Sequence, residues 1–426
     1  MDPRVQRRRA WSRAAGSIVW VGMLSACGSG ARRGDVALHV VPGPAPTVAA
    51  HATTIWPVAF HDVRHSGQAA VAGPTTGRIR WVRKLENNVT PGPVVGPDGT
   101  IYLASSAGVL HALDPATGVD RWTLDARSPS GGDLSSSPAV LDSGVIVWPA
   151  GSNLVGVSRT GRELWRMDLR ASLTSPMPFG NRVYVMSMDG VLHAIELVDN
   201  GRSATRRWDL ALGSGSYATP AIAPDGSIVT NTGNDLVAVQ DRGDRGRERW
   251  RRDLGVLSEI SPAIAPDGTI VSGGNDRWIQ TFTAEGRPVD RYDREAQSYS
   301  SPIVSGAGVV FQGNHQAAIV AVDLHAQHHR LVVRRSVRHR GRSIGVWTAP
   351  VVDRDANIYF GTRSGQIVGF TWSGRLLFDI DAGATATIDS YPAITSDGAL
   401  IVGDTDGVVR AIADDGTLPH DARPHA

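Results

Sequence analysis

The sequence predicts an all-β protein, an eight-bladed β-propeller of four-stranded antiparallel blades. Three observations predict it. Pro93, Pro138, Pro176, Pro220, Pro262, Pro302, Pro350 and Pro392 open eight similar units spaced 38 to 48 residues apart. Each unit holds four short apolar or β-branched runs between Gly, Asp and Pro turns, and 48 glycines and 25 prolines supply that punctuation. No stretch after the N-terminus shows the 3.6-residue apolar period of an amphipathic helix. A unit of this length cannot bury its own apolar faces, so such units stack radially.

The first unit shows the grammar. Pro93-Val94-Val95 is a short strand, and Pro97-Asp98-Gly99 is a turn whose glycine takes positive φ without steric cost. Residues 100–104 form the second strand, residues 105–108 a turn and Val109–Leu113 the third strand. Asp114-Pro115-Ala116-Thr117-Gly118 turns the chain tightly into a fourth strand over 120–124. The first hairpin turn recurs as Asp142-Ser143-Gly144, Asp225-Gly226, Asp267-Gly268 and Asp397-Gly398. An aromatic recurs on the fourth strand as Trp122, Trp165, Trp208 and Trp250, then as Tyr292 and Phe378. At fixed phase these rings are expected to wedge between neighbouring blades. The last unit runs out after Asp414-Asp415-Gly416-Thr417 without a fourth strand, whereas residues 78–84, with Trp81, stand alone before the first unit. The expected ring is therefore closed by an N-terminal strand that joins the last blade and removes an exposed edge.

The N-terminus reads as a targeting segment. Residues 1–26 hold five Arg against one Asp, and the apolar run at 14–23 is too short to span a membrane. Leu24-Ser25-Ala26-Cys27 has the form of a lipobox around the only cysteine of the chain. The expected division is a lipoprotein signal peptide at 1–26, a flexible Gly/Pro-rich tether at 27–55, the propeller at 56–418 and a tail at 419–426. Lipidation at Cys27 would leave an exported protein anchored to a cell-envelope membrane. Without residues 1–26 the chain carries 38 basic and 40 acidic residues, which offers no nucleic-acid footprint.

The Asp-x-x-Thr-Gly-x-x-x-Trp spacing at 114–122, the Ser/Thr-Pro steps and Trp56-Pro57-x-x-x-His61-Asp62-x-x-x-Ser66-Gly67 resemble the pyrroloquinoline-quinone-like β-propeller repeat family. The resemblance covers roughly residues 56–418 and is strongest to non-enzymatic lipoproteins of the kind found in the outer-membrane barrel-assembly machinery. It implies a propeller fold and leaves function open, because propellers host enzymes and scaffolds alike. The enzymes of the family are quinone-dependent alcohol or sugar dehydrogenases, which use a calcium ion, a catalytic Asp and in many members two adjacent cysteines. No second cysteine exists here, and no calcium-binding set stands out at a consistent phase.

The expectation is thus a non-catalytic, monomeric scaffold that needs no cofactor and binds a protein or peptide partner in the envelope. A quinone-dependent dehydrogenase is the alternative. In a propeller the loops between blades and the turns between second and third strands share one face around the channel. The first set carries Asn88, Asp133, Tyr217, Glu259, Tyr299, Trp347 and Asp389. The second carries Asp189, Asn234, Asp276, Asn314, His315, Arg363 and Asp404. Aromatics with a polar rim suit a protein partner. His325, His328 and His329, and the basic run from Arg330 to Arg342, read as solvated loop and strand edge.

Overall fold

The computed structural model describes residues 55–126, 136–316, 318–326, 330–334, 345–383 and 385–418. They form eight four-stranded antiparallel sheets. Blades 1 to 7 occupy 94–125, 139–168, 177–211, 221–253, 263–293, 303–334 and 351–381. The eighth sheet adds Ile79–Lys84 as the outermost strand beside Val408–Ile412, with Lys84 opposite Val408. The described helical content is one 3-10 turn, Asp199–Gly201. The signal segment, Cys27, the tether up to residue 54 and the tail from 419 lie outside the described residues.

The cores lie between neighbouring sheets. Val94, Tyr102 and Leu110 of blade 1 pack on Val140, Ile146 and Trp148 of blade 2. Middle strands are therefore covered on both faces: every residue of Ile101–Ser105 is buried, whereas the outer strand Asp120–Asp125 alternates. Each outer-strand tryptophan lies opposite a small residue: Ala112 faces Trp122, Gly156 faces Trp165, Ala194 faces Trp208 and Ala238 faces Trp250. A bulge follows each of these pairs. The missing side chain makes room for the indole. A Cβ on Gly156 would stand 2.1 Å from the Trp165 ring.

Each indole then reaches the next blade. Trp81 Nε1 donates to the Pro115 carbonyl (2.9 Å), Trp122 to Arg159 (2.8 Å), Trp165 to Gly201 (2.8 Å) and Trp250 to Ala284 (2.9 Å). Trp208 Nε1 donates instead to the Asp241 carboxylate at 3.0 Å. The ring face lies on a turn glycine. At Gly118 φ is +69° and a Cβ would come within 2.5 Å of Trp81. Asp114 shapes that turn by accepting from the Thr117 N–H and hydroxyl at 3.1 and 3.0 Å. The Asp-x-x-Thr-Gly-x-x-x-Trp spacing thus encodes a docking surface for the preceding tryptophan and a tryptophan for the following blade.

A segment before the first blade blocks one end of the channel. The N–H groups of Val95, Val140, Ile222, Ile264, Val304 and Val352 donate to the carbonyls of Trp56, Pro57, Val63, Arg64, His65 and Gly67 at 2.7–3.2 Å. These donors end the first strands of blades 1, 2, 4, 5, 6 and 7, so residues 56–67 visit the blades in chain order. A turn at 58–62 passes blade 3, where Phe179 stays 44% exposed.

With six carbonyls turned outward to the blades, other groups of the segment pair among themselves. Asp62 Oδ1 accepts the N–H groups of Arg64 (2.9 Å) and Ser66 (3.1 Å), and His61 Nδ1 hydrogen-bonds the Ser66 hydroxyl at 3.0 Å. Burial pushes the Asp62 carboxyl up, but His61, Arg64 and Ser66 outweigh it and hold the group below the usual carboxylate range. Phe60, His61 and His65 adopt positive φ, a strained backbone that persists because its surroundings fix it. Gly67 shares that conformation, and a Cβ there would meet Ile303 at 2.6 Å.

Two predictions follow from this packing. Trp208→Ala is expected to destabilise the ring by about 3–5 kcal/mol, as truncation of a buried aromatic does, measured as a lowered denaturant midpoint. His65 is fully buried and its Nδ1–H donates to the Pro262 carbonyl at 2.6 Å. Burial holds its folded pKa down to about 4, against 6.5 for the free side chain. The unfolded chain therefore binds the extra proton between those values. The stabilisation from neutral His65 is complete above pH 6.5 and fades as pH falls toward 4, amounting to about 3 kcal/mol. In urea titrations from pH 7 to 4, His65→Asn should lose less stability than the native chain by that amount.

Candidate functional site: the channel mouth

The other end of the first strands carries a belt of hydroxyls. Thr219 N–H donates to Ser261 Oγ and Ser261 N–H to Ser301 Oγ, both at 2.9 Å, and Ser137 N–H reaches Ser175 Oγ at 2.9 Å. Ser300 Oγ donates to the Thr348 carbonyl at 2.8 Å and Ser390 Oγ to that of Pro91 at 2.9 Å. The Ser/Thr-Pro steps, with Ser300 and Ser390 two residues before their prolines, therefore join blades 2 to 3, 4 to 5, 5 to 6, 6 to 7 and 8 to 1.

Above this belt lies a cavity of about 440 Å³. Its wall includes Tyr217, Glu259, Tyr299, Trp347 and Asp389, five of the seven inter-blade residues singled out above. Each stands three residues before the proline of its unit. Thr90 and Leu173 occupy the same phase before Pro93 and Pro176, and both line the cavity.

Asn88 is a correction: it lies two residues off that phase. Its carbonyl accepts the Ser106 N–H at 2.9 Å and its side chain bonds the Ser106 hydroxyl, away from the cavity wall. Asp133 lies outside the described residues, as do His328, His329 and residues 335–344 of the basic run.

The second set of turns divides in two. His315 and Arg363 flank the mouth, whereas Asn314 and Asp404 are buried within the structure. Asn314 Nδ2 donates to the Arg294 carbonyl at 2.8 Å, and Asp404 accepts Arg410 at 2.6 Å and the Val408 N–H at 2.9 Å. Phase alone could have found Thr90 and Leu173. Tyr391 also lines the cavity, and its place beside Pro392 carries no signal of its own.

One side of the mouth is an aromatic cluster. Tyr299 packs edge-on against Trp347 with centroids 4.9 Å apart, and His315 stacks on Trp347 at 5.5 Å. The Arg363 guanidinium lies 3.8 Å from the Trp347 ring centre and 3.9 Å from Asp389 Oδ1. Burial, then the Arg294 and Arg363 charges, hold the His315 pKa below its ordinary value. Arg294 is fully buried, which pulls its pKa down to about 10, and Asp276 is its nearest carboxylate at 3.8 Å. Tyr391 is pushed up to about 12 by burial and then by Asp389, and its far side rests on Phe60 at 4.6 Å. The plug therefore supports the wall of the mouth. Glu259 Oε2 accepts from Asn275 Nδ2 at 2.9 Å. Trp347 Nε1, His315 Nε2 and Asp389 Oδ1 are buried atoms without a hydrogen-bond partner.

The family model described as outer membrane protein assembly factor BamB, a model of PQQ-like repeats, matches residues 65–160 and 134–344. The chain belongs to this family. A BamB from Alkalilimnicola ehrlichii is 27% identical over 158 residues, covering 34% of this chain and 38% of that protein. The quinohemoprotein alcohol dehydrogenase of Comamonas testosteroni is 28% identical over 222 residues, 43% of this chain and 30% of the enzyme. The serine/threonine-protein kinase AfsK of Streptomyces griseus is 30% identical over 156 residues, 34% of this chain and 18% of the kinase. The chain thus spans well under half the length of these relatives. Two solved structures share the fold. That of the Comamonas enzyme has a TM-score of 0.65 at 13% identity, covering 87% of this chain and 82% of its own. BamB from Moraxella catarrhalis has a TM-score of 0.60 at 16% identity, covering 78% and 97%.

Because this BamB-type family shares its repeat with quinone enzymes, the donor set at the mouth can be compared with what such a cofactor needs. Pyrroloquinoline quinone carries three carboxylates, and its calcium ion takes several oxygen ligands. The charged residues of the described wall are Glu259 and Asp389, both anionic. Among the described residues no three His, Cys, Asp or Glu side chains are grouped to hold a metal. The residues present do not fit the quinone–calcium pair.

Proposed function

We propose that this BamB-family chain is a non-catalytic scaffold, anchored to the cell envelope, whose channel mouth receives a protein or peptide partner. One observation carries the reading. The channel is plugged at one end and presents at the other a rigid mouth, to which most blades contribute a residue at one phase. Exposed Tyr217 and Tyr299 (50% and 38%) stand beside Trp347 there, the residue types that dominate protein recognition. Kinship with proteins named outer membrane protein assembly factors supports a role in assembling envelope proteins. A dehydrogenase reading draws on the Comamonas relative, but the acidic mouth speaks against it.

Photo-crosslinking from position 217 in native envelopes, read by mass spectrometry, is expected to give a discrete protein adduct. Dye-linked alcohol oxidation after addition of quinone and calcium, without any adduct, would sink the proposal. Anchoring has its own test: Cys27→Ser is expected to move the protein from the membrane fraction to the soluble fraction, and retention in the membrane would refute a lipid anchor.

A further inference from the structure

We infer that the channel mouth is a receptor for an arginine side chain of the bound partner, an inference that rests on the scaffold reading. The described cavity wall contains two carboxylates and no Lys, Arg or His. Its exposed rings, Tyr217 and Tyr299, offer negative faces to a cation.

The charge balance next to the wall matters. Arg363 stands near Asp389, and Arg294 stands near Asp276. Both cations therefore have a carboxylate of their own. Glu259 accepts only from a neutral amide among the described hydrogen bonds. It lines the same cavity wall as Tyr217 and Tyr299, whose rings are exposed.

The same site already shows which cation suits it. The Arg363 guanidinium stacks on Trp347 at 3.8 Å while facing Asp389. A planar guanidinium can use a ring face and a carboxylate together, which an ammonium does less well. An incoming arginine would repeat that arrangement on the exposed side, between the tyrosines and Glu259. A residue within a peptide fits better than the free amino acid, which would bring its own carboxylate into an acidic mouth. The hydroxyls of Thr90, Ser136 and Ser172 line the same cavity and can take peptide groups.

The test uses the mature protein and two probes, N-acetyl-Gly-Arg-Gly-amide and its citrulline counterpart, which has the same shape and no charge. Binding is followed by the indole NMR signal of Trp347, assigned with Trp347→Phe. The arginine peptide is expected to shift that signal and to bind about ten-fold more tightly than the citrulline peptide, as a cation–π contact with an ion pair would give. Glu259→Gln should remove most of the preference. Equal binding of the two peptides, no response at millimolar concentration, or an unchanged preference in folded Glu259→Gln would each overturn the inference. Should that variant fail to fold, the comparison of the two peptides on the native protein decides alone. A crosslinked partner without arginine preference defeats this inference and leaves the scaffold reading standing. Arginine preference without any crosslinked partner does the reverse.

Discussion

A ring of sheets leaves one edge of each first strand facing its axis, where no neighbouring strand can pair with it. Backbone donors and acceptors on that edge need partners or water. This molecule meets the need differently at its two ends. At one end, carbonyls of residues 56–67 accept the last N–H of six first strands. At the other, serine and threonine hydroxyls link the start of one strand to the next. The first solution fills the channel and the second leaves room above it. The asymmetry of the two faces, and hence the position of the cavity, follows from that difference.

The tryptophan system locks the periphery by separate means. A small residue opposite the ring, a bulge beside it and a glycine turn on the next blade occur together at Trp208 and Trp250. Where the turn is replaced by the 3-10 segment Asp199–Gly201, the indole of Trp165 still finds the Gly201 carbonyl. Rigid outer docking and a stitched axis hold the inter-blade loops at fixed spacing, as a preorganised binding surface needs.

Much of this was legible in the chain. Proline spacing located all eight units, and Asp-Gly or similar turns located the first hairpins of units 1, 2, 4, 5 and 8, because strand register and turn chemistry are local properties. Tyr217, Glu259, Tyr299, Trp347 and Asp389 were found because loops at one phase of a radial repeat must converge. Asn88 was misplaced because the loop before blade 1 was read two residues early, with Thr90 in the position that matters. The course of residues 56–67 was not legible. Their pairing partners lie on six different blades, and their backbone conformation is imposed by those partners rather than by local preference. His315 and Arg363 were placed on the right face by their turns, but their packing on Trp347 was not legible, since it forms only across the folded loops.

The plug also has a temporal meaning. Trp56 and Pro57 need only the first two blades, but Gly67 needs Val352, which the ribosome makes nearly 300 residues later. Residues 63–67 must therefore wait, without their blade partners, until blades 4 to 7 exist. Such distant pairings slow the final step of folding. A blade array grown from the N-terminus remains open along its axis until that late event seals it.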